Sequence, residues 1–374
     1  MKLLVVSDAW LPQTNGVVTT LTAVLQKMPA LGIETTVIHP ELFKTLPLPS
    51  YPEIRIARNP QNLKKMINAV SPHAIHIATE GPLGIAARRF CVKNGHAFTT
   101  SLHTKFPEYI NLRLGIPLNF GYRFLRWFHH PASSTLVTTK SHHRELTEWG
   151  LSNLVVWGRG VDTQLFKPNA EWTFKGKPKL LYVGRIAVEK NIEAFLKLDL
   201  EADKVVVGDG PAKAELAAKY PEARWLGYRH GAELVHEYAN ADVFVFPSKT
   251  DTFGLVMLEA MACGTPVAGY NVTGPKDLVE NGVNGFIDSD LKVAVAGALT
   301  VDRNGCRVFA LKHDWTRVAV RFAHDLVDST GATLLSCPTD TLEKMSQGNE
   351  RNSGAVDVQA EGAKRQSVAA PALL

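Results

Sequence analysis

Two carboxylates, Asp251 and Glu259, stand eight positions apart in the stretch DTFGLVMLEAMACGTPVAGY, with the pair Phe253-Gly254 between them. The apolar residues from Leu255 to Ala262 recur at helical spacing, so a helix is expected to start near Gly254. The first turn of such a helix offers unpaired N–H groups and the positive end of its dipole, an arrangement that suits an anion. Asp251 then belongs to the loop beside the anion, and Glu259 lies about a turn further along. A diphosphate with a sugar on one side and a ribose on the other fits this layout. A capped amphipathic helix with a solvated glutamate fits the segment equally well.

Other segments carry weaker signals of the same kind. Asn15 and Gly16 form a loop after the first strand-like run, where a glycine lets a ligand approach the backbone at a helix start. In LLYVGRIAVEKN, Gly184 ends a strand and is followed by Arg185 and Lys190. A guanidinium fork and an ammonium point charge suit a diphosphate, though a solvated basic loop is the commoner meaning of such a pair. Gly208 and Gly210 in VVVGDGP lack the third glycine of a dinucleotide fingerprint and read as readily as a tight turn. His103 ends a strand, where it could touch a sugar hydroxyl or move a proton, or be structural. The triplet Asp288–Asp290 follows a turn and reads as a helix cap rather than a metal site. The pairs His129/His130 and His142/His143 lack ligand spacing, so no metal is expected.

These residues need a scaffold. Short apolar strands alternate with helical patterns from Lys2 to Trp157, and the alternation restarts at Lys179, which argues for parallel sheets covered on both faces. The expected organisation is α/β, with two doubly wound Rossmann-like domains facing across a cleft. The first spans residues 1–165, a proline-bracketed linker 166–178, and the second 179–328, with a final helix free to pack back on either. Residues 329–374, rich in Ser, Gly, Ala, Gln and Asn, read as a disordered tail. Ligands in such sheets bind beyond the carboxyl ends of the strands.

The chain has 374 residues with 45% hydrophobic and 21% charged content, the profile of an ordinary globular protein of two domains. No apolar run is long enough to span a bilayer, and the strand-like start does not resemble a signal peptide, so a cytoplasmic location is expected. Four scattered cysteines offer no disulfide framework. Charge is uneven: residues 1–165 hold 17 Lys and Arg against 9 Asp and Glu, and the remainder 24 against 27. The basic half suggests an anionic partner. The segment Lys105–His130 mixes Arg113, Arg123 and Arg126 with Phe, Tyr and Trp, a composition that suits contact with a membrane surface.

Together these segments resemble the retaining glycosyltransferases of family four, with the two-domain GT-B fold. The likeness runs from Met1 to about Val327. It rests on the NGV loop at Asn15–Val17, GRGVD ending at Asp162, YVGRIAVEKN, GDGP, FVFPSKTDTFGLVMLEAMACGTPV and GFI at Gly285–Ile287. TSLHTKFPEY and FLRWFHH resemble the branch of mannosyltransferases that glycosylate lipids. The resemblance implies transfer of a hexose from a nucleotide-diphosphate sugar, GDP- or UDP-linked, without a metal or other cofactor. It implies that Arg185 and Lys190 clamp the diphosphate, assisted by the N–H groups of Phe253, Gly254 and Leu255. Asp251 and His103 would meet the donor sugar and Glu259 the ribose. Gly16, Gly184, Gly208 and Gly210 would allow close approach, with Asn15, Arg159 and Asp162 as further candidates. Asp251 departs from the paired glutamates of the family motif, and its shorter arm leaves the sugar open. The implied acceptor is a membrane glycolipid or lipid precursor, reached from the inner face of the membrane through the basic domain.

A soluble sugar or sugar phosphate is the alternative acceptor. An NAD-dependent oxidoreductase lacks its glycine fingerprint here. A nucleic-acid partner finds no recognised module or basic-aromatic ladder.

Overall fold

A computed structural model of the chain describes residues 1–334, apart from 14, 49, 50, 175 and 329. Most of the expected tail therefore lies outside the described residues. The first half runs β1 (Lys2–Val6), α1 (Gly16–Leu25), β2 (Glu34–Ile38), β3 (Thr45–Leu48), β4 (Tyr51–Ala57), α2 (Leu63–Val70) and β5 (Ala74–Ile77). It continues with α3 (Pro82–Asn94), β6 (Thr99–Leu102), α4 (Phe106–Leu114), α5 (Leu118–His129), β7 (Ser134–Val137), α6 (Lys140–Glu148) and β8 (Leu154–Val156).

The second half runs β9 (Lys179–Val183), α7 (Ile192–Leu196), β10 (Asp203–Val207), α8 (Lys213–Lys219), β11 (Arg224–Trp225), α9 (Gly231–Ala239) and β12 (Val243–Phe246). It ends with α10 (Leu255–Ala262), β13 (Val267–Tyr270), α11 (Pro275–Leu278), β14 (Gly285–Asp288), α12 (Leu291–Ala298), α13 (Arg303–Leu311) and α14 (Trp315–His324).

Each half forms a six-stranded parallel sheet, ordered β2-β1-β5-β6-β7-β8 and β11-β10-β9-β12-β13-β14. The expected architecture is thus present. The central strands are buried on both faces, as continuous apolar runs such as LLVV and VFVF require. In both sheets the strand order reverses beside the first strand of the half, which opens a crevice at the carboxyl ends of the strands.

The apolar run Ile54–Ala57, which reads in sequence as a strand of the first sheet, behaves otherwise. Residues 54–57 belong to β4, which pairs antiparallel with β3 in a separate hairpin. The last helix also has a definite place. Trp315, Val318, Ala319 and Phe322 of α14 pack with Leu3, Val5 and Leu21 of the first half, so the chain returns to the domain where it began. Val161 and Asp314 form a parallel bridge, with Val161 N–H donating to the His313 carbonyl at 2.9 Å. The two crossings between domains therefore run side by side. Asp290 caps α12 by accepting from the Lys292 N–H, as its place after a turn predicts.

Candidate active site

The cleft face of the second domain is built from strand-to-helix loops. The loop after β9 carries Gly184 and Arg185 and a short helical turn, Val188–Lys190. Lys190 Nζ donates to Asp251 Oδ1 at 2.5 Å. The Glu189 carbonyl accepts from Thr250 Oγ1 at 3.0 Å, which ties this turn to the segment leading into Asp251. Burial works against the Lys190 charge, but the adjoining Asp251 outweighs it and holds the ammonium above the ordinary lysine range. The loop thus presents a permanent cation.

Helix α10 begins where the carboxylate pattern places it. Gly254 precedes it at φ 83°, and a Cβ there would lie 2.8 Å from Phe246 Cζ, so only glycine fits the turn. No side chain caps the helix. Among the described residues no hydrogen bond reaches the N–H groups of Phe253, Gly254 or Leu255. Such donors, with the helix dipole behind them, are able to hold an anion, and Lys190 and Asp251 pair just ahead of them. Just over a turn along, Glu259 Oε2 accepts from the buried Tyr238 hydroxyl at 2.8 Å. Burial pushes the Glu259 carboxyl up to about 7, against the pull of that hydrogen bond.

The first domain closes on these loops. Thr252 Oγ1 donates to the His103 carbonyl at 2.7 Å, and Thr138 Oγ1 donates to the Thr252 carbonyl at 2.9 Å. The Ser141 N–H donates to Asp277 Oδ1 at 2.9 Å. From α4, Tyr109 faces Asp251, and Arg113 pairs with Glu189 at 2.7 Å. The start of α1 meets the start of α10: a Cβ on Gly16 would lie 3.7 Å from Leu255 Cδ1.

Comparison with known proteins gives this arrangement its family. The family model for Glycosyltransferase Family 4 matches residues 14–165, and that for Glycosyl transferases group 1 matches residues 177–300. Over 315 residues the chain is 31% identical to the GDP-mannose-dependent alpha-mannosyltransferase of Mycobacterium tuberculosis (strain CDC 1551 / Oshkosh), covering 75% of this chain and 81% of the relative. The chain belongs to glycosyltransferase family four. Its relatives set this transferase in the mannosyltransferase branch. Its fold is GT-B. Sucrose-phosphate synthase from Thermosynechococcus elongatus superposes at a TM-score of 0.71 with 19% identity, covering 86% of this chain and 97% of that one. The Anabaena protein HepE, solved with UDP-glucose, superposes at 0.64 with 16% identity, covering 86% and 98%.

In this transferase Lys190 pairs with Asp251 just ahead of α10, Glu259 stands on that helix, and Arg185 belongs to the same loop as Lys190. Other candidates hold different posts. Asp162 is exposed, and its Oδ1 accepts the N–H groups of Gln164 and Leu165, so it caps a turn. Asn15 is the N-cap of α1, accepting from Val17 and Val18 at 3.0 Å. Gly208 and Gly210 have a steric reason independent of any ligand: a Cβ would lie 1.9 Å from the Gly184 carbonyl oxygen and 2.3 Å from that of Ile186.

His103 stands at the cleft, but both its ring nitrogens are engaged. Arg159 Nη2 donates to Nδ1 at 2.8 Å, which leaves the proton on Nε2, 2.7 Å from Ser101 Oγ. Burial and then the Arg159 charge hold the ring well below the ordinary histidine range, so it is neutral. A proton-transfer role has no free nitrogen here. Arg159 is the buried support of this ring, lying over Trp157 at 4.5 Å.

Tyr109, Arg113, Thr252 and Tyr238 escape a reading of the sequence. Each acts on a partner brought near only by folding. The one available hint is that Tyr109 and Arg113 belong to the basic, aromatic segment already singled out.

Proposed function

We propose that the enzyme moves a mannosyl group from GDP-mannose to a membrane glycolipid or lipid precursor, retaining the anomeric configuration and using no metal ion. The observation that carries this reading is the unpaired start of α10, set between the Lys190–Asp251 pair and Glu259. A diphosphate on those N–H groups would have Arg185 and Lys190 as its counter-charges. Their attraction grows as the glycosidic bond breaks and charge moves to the leaving phosphate, which lowers the barrier rather than only tightening binding. Two fixed cations would do what a metal does elsewhere. Glu259 would accept the ribose hydroxyls, and Asp251 a hydroxyl of the sugar. The name of the mycobacterial relative favours guanine as the base and mannose as the sugar.

The lipid acceptor is supported by α4 and α5. Phe106, Ile110, Leu114, Phe120, Phe124 and Trp127 are all exposed on these two helices, with the exposed Arg123 among them. Apolar side chains interleaved with arginine, on a domain of net positive charge, suit an anionic leaflet. No described helix is long and apolar enough to cross a membrane. The enzyme would thus work at the cytoplasmic face as a peripheral protein.

Melting the protein with GDP, UDP or ADP, in chelator, tests the donor site. A ligand specific to the folded state adds about 2.7 kcal/mol at a hundred times its Kd. GDP is expected to give the largest shift, and GDP-mannose turnover with lipid extract the α-linked product. A shift with UDP alone would move the donor to the uridine series, and no shift with any diphosphate would refute the site.

A further inference from the structure

Helix α4 belongs to the first domain, yet two of its side chains end at the donor loops of the second. Tyr109 and Arg113 are four positions apart and share one face of the helix. Tyr109 Oη donates to Asp251 Oδ1 at 3.5 Å, the outer limit of a hydrogen bond. Arg113 Nη2 donates to Glu189 Oε2 at 2.7 Å, and Glu189 is buried. The Glu189 carbonyl in turn takes the hydroxyls of Thr250 and Ser248, the residues just ahead of Asp251. Burial, with Asp251 among the charges around it, raises the Tyr109 phenol to about 12, so it stays protonated and keeps its donor. Lys190 and Tyr109 both contact Oδ1 of Asp251, and Oδ2 has no protein partner among the described residues.

We propose that Tyr109 and Arg113 are positioning residues of the donor site. From across the cleft they fix the Asp251 carboxylate and the Glu189–Lys190 turn, leaving Asp251 Oδ2 to accept a hydroxyl of the donor sugar. The donor site of the second domain is then complete only with the first domain's α4 in place. The short arm of an aspartate is compensated by a phenol and an ammonium that both hold its Oδ1. This inference rests on the donor site proposed above and adds to it the residues that orient it for the sugar rather than for the nucleotide.

The test separates sugar from nucleotide. Tyr109→Phe removes one hydroxyl and keeps the ring. Steady-state kinetics with GDP-mannose are compared with GDP binding by calorimetry and with the melting temperature. The expected result is a fall of roughly three- to tenfold in kcat/KM for GDP-mannose, with GDP affinity and melting temperature unchanged. Arg113→Ala should also lower kcat/KM for GDP-mannose, with some loss of GDP affinity because it frees the turn that carries Lys190, and Arg113→Lys should recover part of both. Unchanged kinetics in Tyr109→Phe would overturn the proposal, as would an equal loss of GDP affinity, the mark of general distortion. Wild-type protein that does not use GDP-mannose would instead refute the donor reading. The same comparison is then made with the nucleotide sugar it does use, and its outcome decides the proposal in the same way.

Discussion

At the scale of single residues, Glu259 links binding to pH. An ionised carboxylate accepts ribose hydroxyls better than a neutral one, and burial holds this group near the middle of the physiological range, at about 7. GDP affinity is therefore expected to rise as pH increases through about 7, and Glu259→Gln to flatten that profile; calorimetry across the range measures both. The ligand-free fold responds with the opposite sign. The folded-state value lies above the ordinary 4.5, so the folded form binds the extra proton between the two. Its contribution to stability is whole below about 4.5 and is lost as pH rises through about 7. The start of α10 was legible in sequence because Asp251, Gly254 and the apolar run that follows are local in the chain; the pairing of Lys190 with Asp251, 61 positions away, was not. The sequence left the role of His103 open because Arg159 and Ser101, which occupy its nitrogens, are brought to it only by folding. Tyr109 could not be read at all, since its partner Asp251 is 142 positions away.

At the scale of elements, α4 and α5 divide their faces between core and surface. Tyr122, Leu125 and Phe128 are buried, with Tyr122 stacked on Trp149 at 4.1 Å, while Phe120 and Trp127 stand 65% and 43% exposed. Replacing Phe120 and Trp127 together by serine should abolish flotation with anionic vesicles at low salt and leave melting temperature and GDP binding unaltered. Vesicle binding equal to wild type would sink the membrane role of this face. The parallel strands were legible because runs buried on both sides are continuously apolar. The β3–β4 hairpin was not, since a short apolar run does not say which neighbour it pairs with. Helix α13 also left little trace: its sequence RNGCRVFAL opens on polar residues and glycine. Its place is set by tertiary bonds, from Arg303 to the carbonyls of Ala239 and Ala241 and from Arg307 to those of Phe166 and Ala262.

At the scale of the whole molecule, the returning helix α14 is part of the first domain's core. Phe322 is fully buried, edge-on to His76 with ring centroids 4.9 Å apart and 5.2 Å from Trp157. Phe322→Ala is expected to cost about 3–5 kcal/mol, read as a lower denaturant midpoint. A value under about 1 kcal/mol would mean that α14 is an ornament rather than core. The sequence announced this helix by its amphipathic spacing but not its destination, because either sheet offers an apolar face of the right kind. That destination has a consequence in time. A ribosome delivers β1 to β8 first, yet the cluster of Leu3, Val5 and Leu21 waits for Trp315 and Phe322, which emerge after the entire second domain. The nascent first domain must therefore hold an apolar face uncovered through the synthesis of its neighbour, the stage at which a chaperone has most to cover.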